Sequence, residues 1–467
     1  MHKFDNTKFV ERFALHKEYR EGIVSNMLMM MSPFRYKPGM VTEEEVLSAM
    51  NRNGDGGFNE VLNKGDVFIY NYEEFRDYIE HPLFYLFHKL SIWKVSQKCE
   101  VRDETKDPRL YQFPQYWLYF CGTSLFLRQN KLMQDNWGVL PFAPGWSPEL
   151  ETDRFIKRLT KGDTVRPIKV LGIDWEKFDK GVIREHFECI AELRALWDYS
   201  INRDPVRFRA IIYYYSHICN RVCILPDGTI YYVADGNPSG HNNTTPDNNF
   251  EQVLRLYVIY KEYLKEFPDS DVNRNFLEFL EEIRFISFGD DGLCCAYNEV
   301  HLHFLTEFER IAKRVTGRGI TIDHFTFDNF IFLGRRFFRS FDRWFSYGSD
   351  VNKASFGLIN KLDRKHKFDL EIQDQRVYGH WQIYKNLHLH PAKDRVPQYK
   401  YLLALEDFLM EKSSHGALSS DVEKAFWRER SMITSYLARH VNRDILAEFS
   451  KTDANISYDQ HGYKKKK

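Results

Sequence analysis

At 467 residues, with 43% hydrophobic and 16% aromatic content, the chain has ample apolar side chain for a large core, which excludes an intrinsically disordered protein. Lys+Arg and Asp+Glu number 66 each, so the net charge is zero; this excludes a uniformly basic coat for nucleic acid and makes any basic surface local. Seven cysteines without paired CxxC spacing argue for free thiols in a reducing compartment rather than a disulfide scaffold.

Residues 1–90 read as mixed helical and aromatic. Within them, Asn51 to Leu62 resembles a calcium loop with Gly56 at its sixth place, but Asn51 replaces the usual Asp and Leu62 the bidentate Glu, so an ordinary turn fits better. Lys94 to Pro114 interleaves bases with acids, including Lys98, Arg102, Lys106 and Arg109, and reads by itself as a solvated charged hairpin. Ile168 to Asp174 is a buried strand ending in an acid, with Asp179 five residues on and a helical pattern from Val182 to about Tyr199. His217, Cys219 and Cys223 have part of a zinc spacing but no convincing fourth ligand. Asn220 to Val233 reads as strand, Pro-Asp-Gly turn, strand. It delivers a polar loop, Gly236 to Asn249, that leads into a long helix to about Phe267.

Arg284 to Tyr297 follows, two apolar runs around Gly289-Asp290-Asp291-Gly292, with Asp-Gly as the hairpin signal. This hairpin is expected to carry two carboxylates at its tip. Carboxylates beside a buried β-surface call for a cation, and hard divalent ions take oxygen ligands. Asp174 at its strand end could sit opposite that tip, so that Asp174, Asp290 and Asp291 hold two metal ions about 3.5–4 Å apart. Downstream, Glu299 to Arg318 is an amphipathic helix and Gly319 to Phe337 alternates like strands. From about Ser340 the chain is helical and polar, with a loop at His388 to Val396, a break at Ser414 to Ser420, and a Lys464 to Lys467 tail expected to be disordered. There are no internal repeats. No signal peptide is read, and the longest apolar run falls well short of the roughly 20 residues that span a bilayer. The protein is expected to be soluble, or held at membranes by partners.

Three pieces in this order, with about 60 and 40 residues between them, resemble motifs A, B and C of RNA-dependent RNA polymerases from positive-strand RNA viruses. They are Asp174-x4-Asp179, Ser239-Gly240-x3-Thr244-x3-Asn248 and Gly289-Asp290-Asp291. Leu225 to Asn249 looks most like the astrovirus-type branch, with potyvirus-like enzymes as near relatives. The resemblance covers roughly residues 94–340. It implies an α+β right hand of fingers, palm and thumb, its palm an antiparallel sheet with packed helices. Fingers would take 1–164 and 191–238, palm 165–190 and 239–340, and thumb with tail 341–467.

The implied activity is RNA synthesis on an RNA template by two-metal nucleotidyl transfer from NTPs. Asp174, Asp290 and Asp291 would hold two Mg²⁺ ions, for which Mn²⁺ can substitute. Asp179, Ser239 and Asn248 would read the ribose hydroxyls, within the loop that also holds Gly240 and Thr244. Lys106 and Arg109 resemble motif F and would neutralise the triphosphate, with Lys98 and Arg102 along the access route. The Gly-rich segment at 51–62 is also open to a template-contacting role like motif G. Phe332 to Phe337 is similar to the motif E turn that grips the primer strand, with Arg335 as its contact. Where relatives present a motif D Lys as general acid, His324 stands nearest; Lys313, Arg318 or no acid are the alternatives. His380 and Trp381 are open to an initiation platform or to simple packing. The implied partners are template and nascent RNA, NTPs and other viral replication proteins, and initiation with a viral protein primer or without one are both compatible. The implied location is the host cytoplasm, in membrane-associated replication complexes. A reverse transcriptase shares the carboxylates but needs a bulky gate where Asp179 and Asn248 are polar. A catalytically inactive RNA-binding scaffold would not need all three motifs intact.

Overall fold

The computed structural model describes residues 17–50, 68, 72–97, 110–148, 150–340, 343–352 and 370–440. It divides into two compact units, 1–146 with 158–325 and 147–157 with 326–467.

The first unit opens with helices α1 (Lys17–Met31), α2 (Glu43–Ala49), α3 (Tyr72–Glu80) and α4 (Pro82–His88). Strands β1 (Ile92–Gln97) and β2 (Leu110–Pro114) precede the long helix α5 (Tyr116–Asp135). Strand β3 (Lys169–Trp175) alternates as a half-covered strand must: Leu171, Ile173 and Trp175 enter the core while Asp174 is exposed. Helices α6 (Arg184–Asn202) and α7 (Pro205–Cys219) follow; α7 starts on an Asp204 cap with Pro205 in its first turn, the chemistry that satisfies free N–H groups. The expected strand-turn-strand is β4 (Arg221–Ile224) and β5 (Ile230–Val233). Then come α8 (Thr244–Glu266), α9 (Phe276–Glu282), β6 (Ile286–Phe288), β7 (Asp291–Ala296), α10 (Glu299–Thr316) and β8 (Ile320–Phe325).

Two four-stranded sheets result. One, in the order β6-β7-β3-β8, is antiparallel throughout and carries the acids. The other runs β2-β1-β4-β5, with β1 and β4 parallel. A single apolar core runs through this unit, joining segments expected to divide into fingers and palm.

In the second unit, β9 (Ile331–Phe332), β10 (Arg335–Ser340) and β11 (Arg343–Gly348) form an antiparallel sheet. Leu333 and Gly334, at φ +51° and +67°, turn β9 into β10 as a two-residue type I′ hairpin. Helices α11 (Leu370–Tyr384), α12 (Pro397–Ser414) and α13 (Ser420–His440) build its core around Trp381, Leu402, Leu409 and Phe426. Trp381 is fully buried and stacks on Tyr378 with its edge against Phe426, so it packs and offers no initiation platform.

The boundary between units falls after Phe325, so the β9–β10 hairpin groups with the C-terminal helices rather than with the segment 239–340. The short helix Thr152–Leu159 behaves similarly: the ring of Phe155 stacks on Phe332 and Phe337 at 5.7 and 5.4 Å, which draws 147–157 out of the first expected segment.

Candidate active site

The site is built at one end of the acid-bearing sheet. Residues 173 and 292 are paired, so the same register brings Asp174 opposite Asp291 one step further out. Both are exposed. The turn differs by one residue from the Asp-Gly centre expected: Phe288 pairs with Asp291, leaving Gly289 and Asp290 as the two turn residues. Gly289 has φ +64° and Asp290 does not share that sign, the pattern of a type II′ turn with Gly first. Asp290 therefore stands at the tip, and Asp291 is the first residue of β7 rather than its companion there.

Helix α8 packs behind this end and is unusual in its polarity. Asp247, Asn248, Asn249, Glu251, Gln252 and Arg255 are each at most 4% exposed. Polar groups so deep must be hydrogen-bonded, and their partners are the functional segments themselves. Asn248 Nδ2 donates to Asp179 Oδ1 at 2.9 Å, and its Oδ1 accepts from Asn237 Nδ2 at 2.6 Å. Asn249 Oδ1 accepts from the Gly289 amide at 2.8 Å and from Ser287 Oγ at 3.1 Å. Gln252 Nε2 donates to the Asp290 carbonyl at 2.5 Å, and its Oε1 accepts from the Trp175 indole at 3.0 Å. Arg255 pairs with Glu251 at 2.6 Å and lies over the rings of Trp175 and Phe178. Glu251 also bonds His186 at 3.0 Å; burial pulls its carboxyl upward, but the His186 and Arg255 contacts hold it below the usual range. Asp247 is held by Arg194 and Tyr215; burial nevertheless pushes its carboxyl up to about 6.

The remaining expected residues divide. Asp179 and Asn248 meet directly. Thr244 turns its hydroxyl onto the Pro238 and His241 carbonyls, shaping the loop that begins with exposed Ser239. Gly240 lies where a Cβ would come within 2.5 Å of the Gln112 carbonyl, so its place fits the loop against β2. Lys98, Arg102, Lys106 and Arg109, like the loop at 51–62 and the Lys464 to Lys467 tail, lie outside the described residues.

Two expected residues lie in other surroundings. His324 pairs with Leu171, three residues and about 10 Å along β3 from the Asp174 level. Because side chains alternate, it also faces the opposite side of the sheet from Asp174, so it is not placed to act as the acid. Arg318 instead donates toward the Lys180 carbonyl at 3.4 Å, beside Gly181, with burial and then Arg255 lowering its pKa. Arg335 is 7% exposed and donates to the Ile383 carbonyl at 3.0 Å, which anchors its hairpin within the second unit. His217 spends its two ring nitrogens on Ser91 Oγ and the Leu86 carbonyl, and Cys219 and Cys223 are buried free thiols, which leaves no zinc site there. Asn249, Gln252, Glu251 and Arg255 were not singled out from sequence. Their one signal is polarity at four positions within about two turns of a helix that must be buried.

Among the described residues no three His, Cys, Asp or Glu side chains are grouped so that they could hold a metal ion by themselves. The donor set still fits Mg²⁺ chemically: Asp174, Asp290 and Asp291 offer only hard carboxylate oxygens, and Mg²⁺ is usually held by one or two carboxylates together with water and substrate phosphates.

A family model for the viral RNA-dependent RNA polymerase matches residues 95–346, more than half of the chain. The chain is similar to the non-structural polyprotein 1AB of Avian nephritis virus 1, at 26% identity over 226 residues, which is 48% of this chain and 14% of that protein. It is also similar to the polyproteins of Turkey astrovirus 2, at 25% over 48% of this chain and 13% of that protein, and Human astrovirus-5, at 33% over 27% and 9%. The matches thus span about one seventh or less of those polyproteins. With the acid-bearing strands and the Asp179–Asn248 contact inside the matched span, the chain belongs to the viral RNA-dependent RNA polymerase family, of the astrovirus type.

Proposed function

We propose that the chain extends an RNA strand on an RNA template, adding nucleotides from NTPs at the end of the β6-β7-β3-β8 sheet. The observation that carries this reading is the bond from the Asn248 amide to the Asp179 carboxylate, placed beside the strands that bear Asp174 and Asp291. In this reading the sheet is the palm, the segments around β1, β2, β4 and β5 are fingers, and the C-terminal helices are the thumb. Asp174 and Asp290 hold the divalent ions, with Asp291 assisting. Bound there, Mg²⁺ or Mn²⁺ supplies charge neutralisation for the in-line transfer and a more acidic attacking hydroxyl. Asp179, fixed by Asn248, accepts from the ribose hydroxyls, and Ser239 lies on the loop that completes the pocket. Lys98, Arg102, Lys106 and Arg109 supply cations for the triphosphate, and Arg318 adds one more.

The partners in this reading are template and product RNA, NTPs and other products of the polyprotein, at membrane-associated complexes in the host cytoplasm. Among the described residues no helix is long and apolar enough to cross a membrane.

Mg²⁺-dependent extension of an annealed RNA primer tests the reading, with rNTPs strongly preferred over dNTPs. Extension by dNTPs alone would support the reverse transcriptase alternative, and none under any condition an inactive scaffold. A hydrogen bond to a charged group is worth about 1.5–3 kcal/mol. Asn248→Ala is therefore expected to narrow the rNTP-to-dNTP ratio by roughly one to two decades in single-nucleotide addition. An unchanged ratio with activity retained would remove Asn248 from the ribose pocket. His324→Leu is expected to add nucleotides at the parental rate, while Arg318→Leu raises the KM for NTP; the reverse pattern would reinstate His324.

A further inference from the structure

The two acid-bearing segments of the sheet are tied together by one side chain. Gln252 is 2% exposed and its terminal amide is fully used in two directions. Its N–H reaches the carbonyl of Asp290 at the hairpin tip, and its oxygen takes the indole N–H of Trp175, the residue after Asp174. Asn249 fixes the same turn through the Gly289 amide. On the next turn of α8, Arg255 covers the Trp175 ring. The register sets Asp174 opposite Asp291, with Asp290 next to it in the turn, and like charges so placed repel. A rigid helix bonded to both segments opposes that repulsion before any metal arrives.

We propose that Gln252 is a positioning residue that sets the spacing of Asp174 and Asp290, holding the turn carbonyl and the Trp175 indole with one amide so that the carboxylates are pre-organised for divalent ions. This rests on the reading of Asp174 and Asp290 as the metal carboxylates. An amide is needed because the bridge requires one donor and one acceptor at fixed separation. An ionised Glu offers two acceptors and faces the Asp290 carbonyl with negative charge. A protonated Glu restores the donor, and burial raises the pKa of such a group.

The test uses the full chain with Gln252→Met and Trp175→Phe. In metal-free protein, hydrogen exchange of peptides covering 286–292 is expected to quicken several-fold in Gln252→Met, while peptides covering the β3–β8 pairing are unchanged. Mn²⁺ binding followed by electron paramagnetic resonance should weaken by about 2- to 10-fold, the range for one neutral hydrogen bond. The rate of nucleotide addition should fall with little change in KM for NTP. Trp175→Phe removes only the indole donor of the bridge and should likewise quicken exchange of 286–292 and weaken Mn²⁺ binding. If Gln252→Met does not fold, Trp175→Phe decides instead. Parental exchange and Mn²⁺ affinity in the folded variant would overturn the proposal. Failure of the underlying reading looks different: there Asp290→Asn itself remains active.

Discussion

Asp290→Asn is expected to fold normally and to lose at least about 10²–10³-fold in nucleotide addition, the range for removing one preorganised charge-stabilising group. The position tolerates the change structurally. Asp290 is the second residue of a type II′ turn whose positive φ is carried by Gly289, and Asn is a common turn residue. Its backbone carbonyl, which Gln252 uses, is unaltered by the substitution. Removing one of three crowded negative charges relieves repulsion, so the melting temperature should stay or rise. What is lost is a formal charge on a hard oxygen ligand of the proposed Mg²⁺ site. Primer extension by the purified variant across a Mg²⁺ series, alongside thermal melting, is the measurement. Robust Mg²⁺-dependent synthesis would remove Asp290 from the metal site.

The second large effect is on stability. Arg194 and Asp247 are fully buried, with Nη2 to Oδ1 at 2.8 Å. Tyr215 donates to both Asp247 oxygens, and Arg194 also serves Gln129 and Asn130. A buried pair contributes little net stability compared with an apolar replacement, but breaking it strands a charge at a cost of about 3–5 kcal/mol. Arg194→Met should therefore lower the unfolding free energy by that amount, read from denaturant titration. Arg194→Met with Asp247→Asn should recover much of the loss, since Asn still accepts from Tyr215.

The pH dependence has a definite sign. The Asp247 carboxyl titrates at about 6 when folded, raised by burial against an unfolded value near ~3.9. The native state thus binds more protons between those values, and this group's stabilising contribution is full below about pH 4 and is lost as pH rises to about 6. Without Arg194 the folded pKa goes higher, so in Arg194→Met the decline should extend toward neutral pH. A variant that unfolds at the parental midpoint across this range would show that the pair carries no such charge.

Much of this site was legible in the chain itself. The apolar run ending in Asp174, the Gly289 turn between β-forming residues and the polar loop before α8 are local signals, because alternation, positive-φ glycine and helix-start chemistry act over a few neighbouring residues. Those signals were enough to place β3, the hairpin and α10 within a few residues of their observed bounds and to single out Asp174 and Asp290. Helix α8, by contrast, starts at Thr244, inside the expected loop, and Asp179 and Asn248 were named from the motif resemblance. Register was not local. Which residue of β8 lies beside Asp174 depends on a pairing across about 150 residues of chain, and a shift by an odd number of residues moves a side chain to the other face; that sent His324 away from the carboxylates. Burial was not local either: an Arg at a hairpin reads as exposed, and only the packing of α11 beside it turned Arg335 onto the Ile383 carbonyl. The same is true of Gln252, whose sequence neighbours say only that it sits on a helix. Its two hydrogen bonds exist because tertiary packing brings the Trp175 indole and the Asp290 carbonyl to opposite ends of one amide.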